Sequence, residues 1–210
     1  HARGLDYFLS INHQAKIYIQ DTAFQKFLSK RNEDHYADVG INPHLKNHKQ
    51  IELIHGNYQI DDELILISDV STQKYYPKGN ELLFIEKDDG KIHDDFSHEQ
   101  NLLISDQQHV LFAGCAHKGI VNISQKAYDL NHHHRLDAIF GGFHLVSRFP
   151  EFKPSDQEVI SIGKELLQFS RKYYTGHCTG EKAFHILKTE LGMHLEHLHP
   201  GMIIEIKSGF

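Results

Sequence analysis

Apolar and polar positions along the chain switch between helical and strand spacing. In residues 4–10 (GLDYFLS) the apolar Leu5, Phe8 and Leu9 share one helical face, and residues 16–20 (KIYIQ) alternate as a strand does. Thr22-Ala23-Phe24-Gln25 has the form of a capping box, which predicts a helix with Phe24, Phe27 and Leu28 on one side. Residues 29–50 are polar, carry Gly40 and Pro43, and read as a long loop able to face a substrate. A strand series follows: residues 51–55, a turn at Gly56-Asn57, and residues 63–68. Residues 81–86 and 91–93 then form a hairpin about Asp88-Asp89-Gly90.

The second half alternates strands with helices. Residues 102–105 and 110–113 are apolar runs separated by Asp106-Gln107-Gln108, a hairpin, and a helix is predicted from Gly119 to about Leu130. Residues 137–140 (DAIF) form a short buried strand. Ser155 and Glu158 make a capping box for a helix whose stripe is Val159, Ile162, Leu166 and Phe169. Residues 172–175 are a strand, Ala183, Phe184, Leu187 and Leu191 mark a helix that stops at Gly192, and residues 202–206 are the last strand. Without an internal repeat or a linker, residues 1–210 read as one α/β domain.

Composition narrows the function classes. A length of 210 residues with 40% hydrophobic and 24% charged residues suits a globular domain with a full core. A net charge of -6 gives no electrostatic footprint for nucleic acid, and no apolar run reaches membrane-spanning length. The two cysteines, Cys115 and Cys178, are too few for a disulfide scaffold and fit a reducing compartment, so a cytoplasmic location is expected. The chain opens on His1-Ala2-Arg3-Gly4-Leu5, without methionine or an apolar leader, and reads as the start of a fragment. Histidine is the outlier at 19 residues, although His132-His133-His134 beside Asn131 and Arg135 reads as a solvated loop.

Three times a predicted strand runs out into a glycine-flanked histidine: Gly114-Cys115-Ala116-His117, Gly141-Gly142-Phe143-His144 and Gly176-His177. Imidazoles delivered by separate strand ends to one sheet edge are what a hydrolytic metal centre needs, with glycine letting the backbone turn sharply. Each also has a plainer reading: a helix-start histidine bonding backbone or water at His117, or a satisfied core histidine at His144. Cys115 and Cys178 read as soft ligands or nucleophiles, or as small buried residues packing beside their histidines, the reading favoured here. Asp94, Asp95 and Glu99 read as a solvated loop and strand edge, or as groups that orient a ligand histidine.

The segments GCAHKGIVNI, IFGGFHL and YYTGHCTG, in that order and preceded by DDFSHEQNLLI, resemble the metallo-β-lactamase-fold metallohydrolases. Within them the chain is most similar to the subgroup of the dihydropterin-ribofuranosylaminobenzene-phosphate synthases of methanopterin biosynthesis. The resemblance implies a four-layer αββα sandwich, here lacking its N-terminal strands, with two metal ions at one end of the paired sheets. By position His117 matches a ligand of the first metal, and His1 and His177 match ligands of the second. The family's bridging aspartate would fall at residues 141–144, where this chain has none, and Asp137 sits too early in the strand. His144 is therefore the candidate for a substitute ligand or a substrate-contacting group. The proton-handling aspartate would lie before His1, so no general base is named. Two zinc ions in a full-length protein are implied, with manganese or iron as alternatives. The expected activity is hydrolysis of a phosphoester or similar small substrate by metal-activated water. The rivals are a pterin-type synthase of the same fold and a metal-binding protein without catalysis. A small-molecule substrate, and neither nucleic acid nor membrane, is the expected partner.

Overall fold

The computed structural model describes residues 4–206. The predicted first helix is α1 (Leu5–Ile11), and the alternating segment is β1 (Ile17–Gln20). The next expectation fails. Asp21–Phe24 is a single 3-10 turn without a side-chain cap, and Phe27 and Leu28 lie in a strand, β2 (Lys26–Lys30). Both are buried. Neighbours on a strand point to opposite faces, so the pair assigned to one helical face instead fills both sides of a covered sheet. The polar stretch that follows is also less open than its composition implies. It contains β3 (Tyr36–Asp38), paired with β2, and a 3-10 turn, Pro43–Asn47, whose first turn is capped by the Asn42 side chain accepting the His44 N–H.

The remaining elements are β4 (Ile51–Ile54), β5 (Tyr58–Gln59), β6 (Leu64–Ile67), β7 (Leu83–Lys87), β8 (Gly90–His93), β9 (Asn101–Ser105) and β10 (His109–Phe112). They are followed by α2 (Ile120–Leu130), β11 (Ala138–Gly141), α3 (Asp156–Leu166), β12 (Tyr173–Thr175), α4 (Glu181–Leu191) and β13 (Leu195–His197). The chain divides into two compact units. One comprises the residues up to Gly56 together with Asn80–His98. It holds the parallel pair β1-β4 and the antiparallel sheet β3-β2-β7-β8, including the hairpin expected at Asp88-Asp89-Gly90.

The other unit comprises Asn57–Gly79 and the chain from Glu99 onward, and is built on the seven-stranded sheet β13-β12-β11-β10-β9-β6-β5. The predicted hairpin is β9-β10, and β10, β11, β12 and β13 run parallel, linked by α2, α3 and α4. Leu103, Leu111, Ile139, Tyr173 and Leu195 from the strands form one core with Ile123, Leu166 and Leu187 from the helices. The capping box of α3 is present, with Ser155 accepting from the Glu158 N–H and the Glu158 side chain returning to the Ser155 N–H. Residues 202–206 are not a strand. The edge beside β12 belongs to β13, and Ile204 and Ile206 instead pack, partly buried, against Val110, Ala138, Phe140 and Tyr174. Alternating apolar residues report one buried side, and here that side is covered without joining the ladder. Among the described residues, no helix is long and apolar enough to cross a membrane.

Candidate functional site

Parallel pairing determines which turns meet. β10, β11 and β12 are neighbours in register, so their carboxyl ends open on one sheet edge, where α/β sheets carry ligands. His117, His144 and His177 follow those three ends in turn. The hydrogen-bonding between strands continues into the turns. The Gly142 N–H donates to the Gly114 carbonyl at 2.8 Å, the Phe143 N–H to Thr179 Oγ1 at 3.0 Å, and the His144 N–H to Cys178 Sγ at 3.3 Å. Thr175 Oγ1 donates to the Gly141 carbonyl at 2.7 Å. The middle turn is thus bonded to both of its neighbours.

The backbone is strained where the histidines sit. Ala116, His144 and His177 have φ of 59°, 48° and 49°, the left-handed region that side chains beyond glycine seldom occupy. Each such residue costs about 1–3 kcal/mol and persists only where its surroundings over-determine it. The sequence pattern assigned the sharp turning to glycine. In two of the three turns the histidine itself adopts the unusual conformation.

The structure brings His117 and His144 into contact, with ring centroids 4.1 Å apart and planes tilted by 52°. Among the described residues, both ring nitrogens of His144 are buried without a hydrogen-bond partner, and the Cys178 sulfur lies beside that ring. Gly79 leaves room for that ring, since a Cβ there would lie 3.1 Å from His144 Nε2. Glu99 is buried and holds the other turn: its carboxylate accepts the His117 N–H at 2.6 Å and the Lys118 N–H at 2.9 Å. Burial pushes this carboxyl above the usual carboxylate range, and the two N–H bonds oppose the shift. Glu99 therefore fixes the backbone that presents His117. Asp94 and Asp95 accept the N–H groups of Phe96 and Ser97, as local turns do.

Cys178 is buried and Cys115 half-buried, and the two are not joined as a disulfide. They meet. The Cys178 thiol donates to the Cys115 carbonyl oxygen at 3.6 Å. The neighbouring Cys115 thiol favours the Cys178 thiolate, as does His144, and the same pairing, with burial, disfavours ionisation of Cys115.

His177 lines a separate cleft of about 310 Å³ with Glu181, Phe184, His185 and His197. His197 belongs to β13, so placing the last strand at residues 202–206 hid it. Phe184 had been assigned to the helix stripe. The chain places His177 next to Cys178, which bonds the His144 turn, and so on the same sheet edge. His1 lies outside the described residues. Asp137 is elsewhere: at the start of β11 it accepts the His109 N–H at 2.9 Å and faces Arg171 at 3.7 Å.

The donor chemistry suits a transition metal, since His144 offers two buried nitrogens, without a hydrogen-bond partner among the described residues, beside a second imidazole. The set is incomplete. Among the described residues no group of three or more His, Cys, Asp or Glu side chains is arranged to hold a metal ion.

The fold is that of the metallo-β-lactamase superfamily. The chain superposes on Tm1679, a metal-dependent hydrolase of the β-lactamase superfamily, with a TM-score of 0.74, covering 92% of this chain and 73% of that one at 24% identity. In sequence it is similar to the 7,8-dihydropterin-6-methyl-4-(β-D-ribofuranosyl)-aminobenzene-5'-phosphate synthase of Methanocaldococcus jannaschii, 31% identical over 104 residues, 49% of this chain and 33% of that protein. An uncharacterized protein of the same organism is 28% identical over 159 residues, 75% of this chain and 57% of the relative. No family profile matches the chain. The matches thus span a third and somewhat over half of these relatives' lengths. The resemblance carried by the three histidine motifs is borne out in the mixed α/β fold and in these relatives.

Proposed function

We propose that the chain forms part of a metal-dependent hydrolase acting on a phosphoester or a similar small substrate. The observation that carries this reading is the pairing of His117 and His144, from adjacent parallel strand ends, with both nitrogens of His144 buried and, among the described residues, without a hydrogen-bond partner. His117 and His144 would hold a metal ion, zinc by preference, with His177 from the neighbouring turn and His1 as further ligands. A bound ion supplies a Lewis acid and a water that ionises near neutral pH. The chain's own residues set the geometry: Glu99 clamps the His117 backbone, and the Cys178 sulfur and Thr179 hydroxyl hold the turn of His144. The cleft beside His177 offers a phenyl ring, imidazoles and a carboxylate to a small organic substrate. An acidic net charge and two cysteines not joined as a disulfide suit a cytoplasmic enzyme without nucleic-acid or membrane partners.

A second reading, a pterin-type synthase, is supported by the 31% identity to the methanopterin-pathway enzyme. Product analysis separates the two. Incubation with a phosphodiester should release free alcohol and monoester in a metal-dependent manner. Turnover of a pterin pyrophosphate with no cleavage of the phosphodiester would reverse the ranking. Metal bound at stoichiometry with neither reaction would leave a metal-binding protein without catalysis.

A further inference from the structure

We propose that Cys115 and Cys178 form a peroxide-sensitive dithiol, a modification site that closes to an intramolecular disulfide across the end of β11. The two residues are 63 positions apart and lie in turns that follow β10 and β12, which do not pair with each other. They meet because the turn after the strand between them opens with Gly142. A Cβ at that position would lie 2.4 Å from Cys178 Sγ, so the sulfur occupies space that any other residue would fill. Cys178 Sγ then reaches the neighbouring turn, where it donates to the Cys115 carbonyl oxygen at 3.6 Å. Cys115 is half-buried and Cys178 is 8% exposed.

This arrangement puts two thiols in adjoining turns, so that either can resolve the other. One of the two sulfurs attacks hydrogen peroxide as its thiolate, the O–O bond breaks, and a sulfenic acid and water result. The other sulfur then forms the S–S bond and displaces the hydroxyl as a second water. Two thiols have lost two electrons and two protons, and one peroxide has become two waters. A dithiol reductant reverses the step by exchange. Closure ties the turn that presents His117 to the turn that presents His177, and changes the sulfur that accepts the His144 N–H. The inference does not depend on the hydrolase reading or on a bound metal.

The test is intact-mass and peptide mapping of the native chain after brief hydrogen peroxide treatment, beside the urea-unfolded chain and Cys115→Ser. The expected result is a monomer lighter by two hydrogens, with the peptides of Cys115 and Cys178 joined and dithiothreitol restoring the starting mass. Closure should be at least about tenfold faster in the native chain than in the unfolded one, because the fold holds the sulfurs together. The joined species should be absent from Cys115→Ser. Oxygen adducts on separate cysteines, disulfide-linked dimers as the product, unreacted thiols, or equal closure in the unfolded chain would each overturn it. The native-versus-unfolded comparison stands even where the variant does not fold.

Discussion

The carboxylate of Glu99 accepts the backbone N–H of His117 at 2.6 Å while its own side chain is buried. A carboxyl group taken out of water holds the turn in place, and this sets a pH signature. The folded-state pKa is raised by burial, so Glu99 contributes most to stability below the ordinary glutamate pKa, and that contribution is lost as pH rises through the raised value. Urea titrations of the wild type and Glu99→Gln across the acid-to-neutral range should show the stability difference, wild type minus variant, falling as pH rises. A difference that grows with pH would contradict this.

Gly142 and Gly114 are a matched pair for testing the close approach of the turns. A methyl at Gly142 would collide with Cys178 Sγ, whereas among the described residues nothing lies within 4 Å of a methyl at Gly114. Gly142→Ala should cost about 1–3 kcal/mol, as overpacking does. Gly114→Ala should stay within about 0.5 kcal/mol. Denaturant midpoints measure both, and equal costs would remove the packing explanation.

If His144 and His117 hold a metal, replacing either with Ala should weaken zinc binding at least about tenfold, read by competition with a chelating dye. His133→Ala, in the exposed loop after α2, should leave binding unchanged and serves as the control. Unaltered affinity in His144→Ala would mean that its buried nitrogens serve another purpose.

Ser155 closes the capping box of α3 by accepting the Glu158 N–H at 3.2 Å. Ser155→Ala should lower stability by about 1 kcal/mol. A thermal melt followed by circular dichroism would register it, and a change indistinguishable from zero would show that Lys78, bonded to Glu158 at 2.8 Å, can hold the carboxylate alone.

Local signals named most elements of the α/β part. The β9-β10 hairpin, α2, the capping box of α3 and the stop of α4 at Gly192 all sit where periodicity, capping chemistry and glycine placed them. The misreadings have a common cause. Phe27-Leu28 and residues 202–206 carry apolar patterns compatible with more than one way of being buried, and their neighbours in space choose among those ways. In the candidate site, the glycine-histidine pairs at three strand ends were legible as a pattern, but the contact between His117 and His144 was not.

By itself the sequence determined which residues stand at strand ends, because turns and apolar runs are written locally. Only tertiary structure decided that β10, β11 and β12 lie side by side and parallel, since strand order depends on crossovers through α2 and α3 rather than on any one segment. That order converts separated histidines into neighbours, and closes Cys115 on Cys178 over a residue with no side chain.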